Sequence, residues 1–366
     1  MKIGILTYHR SNNVGALLQN FALIKAFEQL GCKAETIDYR CEFIERNNRL
    51  FAWRSFKENI KILIQLPYYI LREKRFQSFR SSFIKMSGTS YNRNNISNSI
   101  SYYDLFISGS DQVWNLNLNG CDYTYFLDFV PYNKVRVSYA GSFGYSHIPK
   151  KYEEKTINEL RAFSLLSVRE KAAQSMLESY NINSTVVLDP TLLLTSEDWK
   201  KNFDLNISAK KRYVFVYMVA YVPALLKNAR EKAQELDCEL LVMHYNYWPF
   251  PKCKNVRAAS PIHFLQFINE AECVFCSSFH AMCFSILFHK QFFYGLDSSK
   301  NNNNSRLETL AKVLDLAGRN IECTALSDID YDYVDFKLSK LRSESLNYLK
   351  ETINFTTHDI SNNTSL

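Results

Sequence analysis

The segment Gly109–Asn115 (GSDQVWN) groups polar and aromatic side chains that suit a carbohydrate ligand. It follows Asp104–Ser108, an apolar run that predicts a buried strand. Ligands of open α/β sheets bind at the carboxyl ends of strands, which favours a ligand site over a capping turn around a core tryptophan. The candidate base is Asp111, and the candidate acceptor-binding residues here are Gly109, Ser110, Gln112, Trp114 and Asn115.

A second candidate lies where the apolar strand Cys273–Ser277 leads into a short helix. Ser278 and His280 fall in its first turn, where backbone N–H groups and the positive helix end favour a phosphate or carboxylate. The imidazole of His280 can act as an acid or can bind the anion. The alternative is a histidine with a structural role, and the strand-to-helix position makes the two interpretations about equal.

The cysteines of the same segment (CVFCSSFHAMC) resemble a metal site in their spacing. Cys273 and Cys276 nevertheless lie three residues apart in an apolar strand, which predicts opposite faces. Cys283 belongs to the following apolar helix, and a single CxxC is a weak signal. We therefore expect no metal.

Two further turns offer polar groups at predicted strand ends. Arg169, in Ser167-Val168-Arg169-Glu170, can bind a carboxylate or phosphate through two N–H groups, unless it pairs with Glu170 or another acid. The turn Ser11–Ala16 lacks the GxGxxG pattern of dinucleotide sites. It supplies Asn13, Gly15 and Gln19 as further candidate acceptor-binding residues at a helix start, and an ordinary strand-to-helix turn is the alternative.

The elements that must position these residues form two series of strands and helices. Lys2–Thr7, Ala16–Leu30 and Lys33–Asp38 predict a βαβ opening with parallel strands. A similar series begins with the strand Tyr213–Tyr217. We therefore expect an α/β fold with two Rossmann-like domains facing a cleft. The expected domains are residues 1–200, with a basic helical insertion near 50–90, and 201–345, followed by a C-terminal tail over 346–366.

The insertion contains Arg54–Lys85, in which basic residues alternate with aromatic and aliphatic ones. One interpretation is a pair of helices on an anionic membrane face. The other, which we favour, is an insertion packed on the domain with a solvated basic face.

The overall composition limits the class of protein. The 366 residues carry a net charge of +7 with spread-out lysines and arginines, which does not indicate a nucleic-acid partner. The start (MKIGILTYHR) predicts a strand and not a signal peptide, and no run approaches the ~20 apolar residues of a membrane span. The 9 cysteines show no framework spacing. We expect a cytoplasmic protein, with a possible site of action at the inner face of the plasma membrane.

Taken in order, these segments resemble the polysaccharide pyruvyl transferase family. The resemblance covers roughly residues 1–320. It rests on NVGALLQNFAL (13–23), GSDQVWN (109–115), YFLDF (125–129), SYAGSFG (138–144), LSVRE (166–170), LDPTLLL (188–194), SSFHAMCFSILFHKQF (277–292) and NSRLETL (304–310). It implies a glycosyltransferase-B-like arrangement, phosphoenolpyruvate as donor and co-substrate with no other cofactor, and a lipid-linked sugar of a cell-surface polysaccharide as acceptor.

The chain departs from the family at the donor motif. Some members have arginine-leucine-histidine where Ser278-Phe279-His280 stands, and many have glycine where Ala281 stands. The missing positive charge must come from elsewhere, and Arg306 is our candidate, with Lys290 second. The expected donor-binding residues are therefore Arg169, Arg306, Lys290 and Ser278, with His280 and Asp111 as catalytic residues.

The mechanism that the resemblance implies joins pyruvate to two sugar hydroxyls as a ketal and releases phosphate. His280 is the expected acid or phosphate ligand, and Asp111 the expected base or acceptor ligand. Two alternatives remain: a nucleotide-sugar-dependent glycosyltransferase, with an acid near Glu270–Glu272 on the ribose, and a non-catalytic carbohydrate-binding relative.

Overall fold

The structure is a computed structural model. It describes the backbone of residues 1–48, 56–145, 147–206, 211–245, 248–297, 304–323 and 328–364, and the side chains of these residues except 48, 56–64 and 360–364.

The chain forms two compact units. Unit 1 comprises Met1–Ala52, Arg80–Leu193 and Ser339–Leu366, and unit 2 comprises Trp53–Phe79 and Leu194–Leu338. The structure corrects the expected boundaries in two places. Most of the basic insertion belongs to unit 2, whereas it was expected in the N-terminal domain. The expected tail begins inside a long helix that ends at Thr364, and the part of this helix from Ser339 onward belongs to unit 1.

Unit 1 is built on a parallel sheet of five strands, in the order β3-β2-β1-β4-β5. Its strands are β1 Lys2–Leu6, β2 Lys33–Tyr39, β3 Met86–Tyr91, β4 Leu105–Ser108 and β5 Arg136–Ser138. A separate parallel pair consists of β6 Ser167–Val168 and β7 Thr185–Val186. Its helices include α1 Val14–Gln29, α2 Glu42–Asn48, α4 Leu116–Asn119, α5 Glu153–Arg161 and α6 Lys171–Glu178, with 3₁₀ turns at Ile96–Tyr102, Tyr123–Phe126, Lys150–Tyr152 and Pro190–Leu192.

Unit 2 has a second parallel sheet of five strands, in the order β10-β9-β8-β11-β12. Its strands are β8 Tyr213–Tyr217, β9 Glu239–Met243, β10 Lys254–Val256, β11 Cys273–Cys276 and β12 Gln291–Tyr294. Its helices are α7 Ser196–Phe203, α8 Pro223–Glu235, α9 Pro261–Glu270, α10 Phe279–Leu287 and α11 Ser305–Val313, with a 3₁₀ turn at Ala317–Arg319. The predicted α/β class with two Rossmann-like halves is confirmed.

The described residues of the basic segment form one helix, α3 Phe56–Phe83, and not the pair of helices that the membrane interpretation assumed. Its C-terminal part packs within the protein, whereas Tyr68, Ile70 and Leu71 are exposed. Phe76 and Phe79 are buried, and Phe79 stacks on Phe203 with ring centroids 5.6 Å apart. Arg75 donates a 2.7 Å hydrogen bond to the carbonyl oxygen of Ala258. These contacts favour the packed insertion over a membrane-surface helix for this portion.

The last helix, α12, runs from Tyr331 to Thr364. Ser345, Tyr348, Leu349 and Thr352 recur at helical spacing, and all are buried. The Tyr348 hydroxyl donates a 3.0 Å hydrogen bond to the carbonyl oxygen of Ser138 in unit 1. The Thr352 hydroxyl donates to the carbonyl oxygen four residues earlier, at 2.9 Å, which satisfies a buried polar group within the helix.

No helix within the described residues is both long enough and apolar enough to span a bilayer.

Candidate active site

The strand order of each sheet reverses at one point, and each candidate catalytic residue follows a strand at that point. In unit 1 the chain runs from β1 outward through β2 and β3, then returns to β4 on the other side of β1. Asp111 follows β4. In unit 2 the same reversal lies between β8 and β11, and His280 follows β11. Crevices at such switch points bind the ligands of open α/β sheets.

Asp111 stands in a strained turn. Its backbone φ is +84°, a region that side chains other than glycine rarely adopt. The backbone carbonyl of Asp111 accepts hydrogen bonds from Val113 and Ser142, at 2.8 and 3.1 Å, which hold the turn against the end of β5. Its Oδ1 accepts a 2.9 Å hydrogen bond from the backbone N–H of Gln112, and 9% of the residue remains exposed. The carboxylate is therefore fixed and at the edge of solvent.

Arg169 was predicted to present its guanidinium to a ligand, but its side chain is only 2% exposed. Nη1 donates a 2.9 Å hydrogen bond to Oδ2 of Asp189. The guanidinium also lies 3.7 Å from Asp111 and 3.8 Å from Glu170. Burial opposes the charge, but these three carboxylates raise the pKa of Arg169 above its ordinary value. Its charge is already matched by the protein, which argues against direct contact with a donor.

Asp189 was not among the residues predicted for the site, although it organises this cluster. It is fully buried, and its Oδ1 accepts hydrogen bonds from the backbone and hydroxyl of Thr191, at 3.0 and 2.8 Å. The Ser110 hydroxyl donates to Oδ2 at 3.3 Å. Ser110 is itself buried, so it supports Asp189 and is not open to a sugar. The strand-end sequence Asp189-Pro190-Thr191 was the available signal.

The turn after β1 uses its polar groups internally. The Asn13 side chain caps α1 by accepting from the N–H groups of Gly15 and Ala16, at 2.9 and 3.3 Å. Those N–H groups are therefore not free for a sugar, contrary to expectation. Gln19 is fully buried, and its amide donates to the Thr7 hydroxyl at 3.0 Å.

A second group that sequence reasoning missed lies at the ends of β1 and β2. His9 Nε2 lies 3.0 Å from Oδ1 of Asp38, and Arg10 donates to both carboxylate oxygens of Asp38, at 2.8 and 2.7 Å. Ser90 donates to the same carboxylate. Burial favours the neutral acid, but the hydrogen bonds from His9, Ser90 and Arg10 hold the pKa of Asp38 well below its usual range. Both segments end neighbouring strands, which was the signal for their proximity.

Trp114 is not a sugar platform, because it is fully buried in the core of unit 1. Its ring lies 5.8 Å from Phe126 and 5.0 Å from Phe143, measured between centroids. A β-carbon on Gly141 would come within 2.6 Å of the indole, so the backbone also closes on it. The core-tryptophan alternative is the one that the structure supports.

Gln112 and Asn115 are the polar side chains of the predicted acceptor motif that stay near the surface, each about nine-tenths buried. The Asn115 amide donates a 3.0 Å hydrogen bond to the Gln112 side-chain oxygen. A β-carbon at Gly144, where φ is +68°, would meet that oxygen at 2.5 Å. Gly109 lies behind them, where an added β-carbon would be 3.1 Å from Thr7. Gln112 and Asn115 thus lie beside Asp111 as a pre-oriented polar edge.

In unit 2 the structure brings His280 and Arg306 to the same aromatic ring. His280 lies in the first turn of α10, and its ring centroid is 5.3 Å from that of Phe279. Arg306 lies in the first turn of α11, with its guanidinium carbon 6.0 Å from the Phe279 centroid. Ser278 caps α10 through a 3.4 Å hydrogen bond from Ala281, so its hydroxyl oxygen supports the helix. Two helix starts and two basic side chains therefore adjoin one ring, an arrangement that favours an anion.

Lys290 lies at the opposite edge of the second sheet, so the structure contradicts its predicted donor role. It precedes β12, which pairs in parallel with β11, and His280 follows β11. A strand of four residues separates the two edges by roughly 13 Å. Burial lowers the pKa of Lys290, against the opposing influence of Glu272 and Glu270.

The acids considered for a nucleotide ribose also lie at this amino edge. Glu272 precedes β11 and is paired with Arg212 at 2.8 Å. The Glu270 carboxylate accepts from Tyr213 at 3.4 Å and from Gln266. They are therefore on the wrong side of the sheet for a switch-point ligand.

The cysteines of β11 are buried thiols. Burial raises the pKa values of Cys273 and Cys276 to about 12 each, which disfavours the thiolate that a metal requires. In the part of the chain that the structure describes, no three His, Cys, Asp or Glu side chains are placed to hold a metal ion.

Comparison with known proteins gives one family match. A family model described as polysaccharide pyruvyl transferase matches residues 13–299. No curated protein is similar enough to this chain to count as a match.

Several solved structures are similar over most of their length. UDP-GlcNAc 2-epimerase from Methanocaldococcus jannaschii is 12% identical, with a TM-score of 0.48, over 93% of this chain and 92% of that one. A putative UDP-N-acetylglucosamine 2-epimerase from Listeria monocytogenes is 11% identical, with a TM-score of 0.49, over 95% and 90%. The glycosyltransferase SnogD from Streptomyces nogalater is 10% identical, with a TM-score of 0.38, over 98% and 99%.

Proposed function

We propose that this chain, which belongs to the polysaccharide pyruvyl transferase family, transfers pyruvate as a ketal from phosphoenolpyruvate to a sugar of a lipid-linked polysaccharide repeat unit. The observation that carries the proposal is the placement of His280 and Arg306 at two helix starts beside Phe279. Phosphoenolpyruvate brings a phosphate and a carboxylate, so its pocket needs fixed positive groups. Arginine suits either anion because its planar guanidinium donates two parallel hydrogen bonds.

The reaction bonds the oxygens of two sugar hydroxyls to one carbon of phosphoenolpyruvate, the carbon that carries the phosphate. A proton is delivered to the methylene carbon, which becomes the ketal methyl group, and the first hydroxyl oxygen bonds to the neighbouring carbon. The bond from that carbon to the phosphate oxygen breaks, and the second hydroxyl closes the ring. Of the two hydroxyl protons, one balances the proton delivered to carbon and the other leaves with phosphate.

His280 is the residue of this chain that we propose as proton donor. Its position beside Arg306 would place the acid next to the enol phosphate. Asp111 is the proposed base for the sugar hydroxyl, since its carboxylate is fixed at the switch point of the first sheet with Gln112 and Asn115 beside it. General acid–base catalysis contributes a factor of ~10² to 10⁴ in rate.

Arg169 enters the proposal in a changed role. Because it lies 3.7 Å from Asp111 and is paired with Asp189, we propose that it positions the Asp111 carboxylate and does not contact the donor. The donor site proposed for this chain therefore consists of Arg306 and His280, with Ser278 capping the helix that carries His280.

The test is to incubate the protein with phosphoenolpyruvate and a lipid-linked sugar, and to follow inorganic phosphate and the mass of the glycolipid. We expect equimolar phosphate and ketal-modified glycolipid. Parallel reactions with nucleotide sugars test the alternative glycosyltransferase. Nucleoside diphosphate release without use of phosphoenolpyruvate would refute the proposal, and sugar binding without any turnover would identify a non-catalytic relative.

A further inference from the structure

Unit 2 carries a group of three aromatic rings that the proposed transfer does not use. The ring of Tyr221 is stacked on that of Phe250, with centroids 5.9 Å apart and 19° between the planes. The ring of His244 meets Phe250 edge-on, with centroids 4.8 Å apart. This aromatic stack therefore begins at a buried histidine and ends at a tyrosine that is 60% exposed.

The connection that carries Phe250 is held in place by hydrogen bonds. The backbone N–H of Phe250 donates to the side-chain oxygen of Asn255 at 2.7 Å, and the Asn255 amide donates to the carbonyl oxygen of Phe250 at 2.9 Å. Nε2 of His244 lies 2.7 Å from the same oxygen of Asn255. Arg230 of α8 donates a 2.9 Å hydrogen bond to the carbonyl oxygen of Pro251. The aromatic stack is thus fixed before a ligand arrives, which lowers the entropic cost of binding.

Tyr221 lies at the same edge of the second sheet as His280. It belongs to the connection that follows β8, and His280 follows β11, which pairs in parallel with β8. The Ser277 hydroxyl donates to the carbonyl oxygen of Ala220 at 2.8 Å and accepts from the N–H of Ala220 at 3.3 Å. Ala220 directly precedes Tyr221, and Ser277 stands three residues before His280. The exposed ring is therefore fastened to the strand end that carries the proposed proton donor.

The aromatic stack carries no charge, which distinguishes it from the neighbouring donor site. Burial lowers the pKa of His244 below its ordinary value, so its ring is neutral at neutral pH. An aromatic ring has a negative face, which attracts the partially positive hydrogens of C–H groups. The C–H groups on one face of a pyranose form such a surface, about as wide as a phenol ring, with the hydroxyls directed outward around it.

The exposed area is too small for a protein partner. Tyr221, Val219 and Trp248 are the exposed large apolar side chains of the connections after β8 and β9, within the described residues. A specific protein interface buries more than ~1,000 Å², which three side chains do not supply. One or two sugar rings match this area.

We propose that the exposed face of Tyr221 binds a pyranose ring of the acceptor by stacking on its C–H groups. Trp114, which the sequence suggested as the sugar platform, is fully buried and cannot take this role. The identification of the bound sugar as the acceptor rests on the proposed function. Sugar binding itself does not depend on that function, since it follows from the aromatic stack alone.

The experiment is saturation-transfer NMR on the full-length protein, with methyl β-D-glucopyranoside as the sugar probe and uridine as a nucleobase probe. The axial C–H groups of the glucoside are divided between its two faces, so transfer from the irradiated aromatic protons reports which face is bound. We expect transfer mainly to one face. Tyr221→Ala should abolish it, whereas Tyr221→Phe should retain it, because the ring face binds and not the hydroxyl.

Kinetics with the lipid-linked acceptor tests the same residue in turnover. Tyr221→Ala should raise the KM for the acceptor ~3- to 10-fold, the size of a typical aromatic contact, and leave the KM for phosphoenolpyruvate unchanged. The matched control is Phe336→Ala, which removes an aromatic side chain of unit 2 that is 70% exposed on α12. It should change neither the NMR transfer nor the kinetics.

The possible outcomes separate this proposal from the proposed function. Absent transfer to the glucoside, equal transfer to both of its faces, or transfer that survives Tyr221→Ala would overturn the sugar site. Stronger transfer to the uracil hydrogens of uridine would assign the ring to a nucleobase and overturn it as well. Ketal formation with an acceptor KM that Tyr221→Ala does not change would refute the acceptor role. Sugar binding that requires Tyr221, in a protein that forms no ketal, would refute only the proposed function.

Discussion

Arg169 donates a 2.9 Å hydrogen bond to Asp189, and the side chains of both residues are almost entirely removed from solvent. Arg169 directly follows β6, and Asp189 lies shortly after β7. The pair therefore links the chain segments that leave these two neighbouring strands of unit 1. A buried charge that has lost its partner strongly destabilises the fold. An intact buried ion pair, by contrast, gives about the same stability as apolar residues of similar volume would. The pair therefore makes the geometry around Asp111 depend on Arg169.

We expect Arg169→Ala to act first on stability. Removing one partner of a buried ion pair typically costs about 3–5 kcal/mol, because the other charge is left uncompensated. Urea unfolding of the variant should show a loss of that size. Arg212→Ala is the control, since its pair with Glu272 is largely exposed and such pairs contribute about 0–1 kcal/mol. A variant that keeps full stability but loses affinity for phosphoenolpyruvate would return Arg169 to the donor site.

The lowered pKa of Asp38 predicts that the free energy of unfolding falls at acid pH. Its folded pKa lies below the ordinary value, so its contribution is fully present above about pH 4 and is lost as the pH falls toward the folded pKa. Asp38→Asn should be less stable than the unaltered protein at pH 6, and the difference should shrink as the pH is lowered to 3. Urea unfolding at several pH values measures both.

The control for Asp38 is Glu231→Gln, an exposed carboxylate 3.9 Å from Lys227 on α8. Its pH profile should follow that of the unaltered protein. A parallel profile for Asp38→Asn, offset by a constant amount at every pH, would show that the carboxylate is not linked to folding in this way.

Trp114 and Trp248 allow the contribution of a buried tryptophan to stability to be compared with that of an exposed one. Trp114 is fully buried, so Trp114→Ala should cost about 3–5 kcal/mol of unfolding free energy through lost burial and the cavity left behind. Trp248 is 71% exposed, and its replacement by alanine should change stability by no more than about 0.5 kcal/mol. Thermal and urea unfolding test both. Equal stability of the two variants would contradict the core placement of Trp114.

The sequence predicted the strands of unit 2 well because their apolar character is local. β8 has the bounds that its apolar run indicated, and β11 begins at the predicted Cys273 and ends at Cys276, one residue before the predicted end. By contrast, α12 was missed because its buried face includes serine and threonine, whose hydroxyls are satisfied only once the helix has formed.

The candidate site was predicted in part for a related reason. Strand ends placed Asp111 and His280 at the carboxyl edges of their sheets, since backbone topology alone decides that position. The direction of a side chain depends on contacts with distant residues. The side chain of Arg169 points inward, where it pairs with Asp189. The ring of Trp114 also points inward, where it packs on Phe143. Lys290 lies at the other edge because α10 returns the chain from the carboxyl end of β11 to the amino end of β12.

Because Arg169 is buried and paired, the proposed donor site is tested at Arg306. Arg306→Met should raise the KM for phosphoenolpyruvate ~10- to 100-fold, because a charged hydrogen-bond partner of a ligand contributes about 1.5–3 kcal/mol. The KM for the acceptor sugar should change little. Lys252→Met is the control, an exposed lysine on a turn of the same unit. Steady-state kinetics with each substrate varied in turn measures the difference, and an unchanged donor KM would exclude Arg306 from the pocket.

His280 should differ from Arg306 in kind as well as in degree. If its imidazole delivers the proton to the methylene carbon, His280→Ala should lose a factor of ~10² to 10⁴ in kcat at saturating phosphoenolpyruvate. If it only binds phosphate, higher donor concentrations should restore most of the rate. His280→Gln keeps a hydrogen-bond donor but cannot serve as the acid, so it should recover donor affinity without recovering turnover. Recovery of kcat by glutamine would assign His280 to binding, and the proton would then have to come from another group.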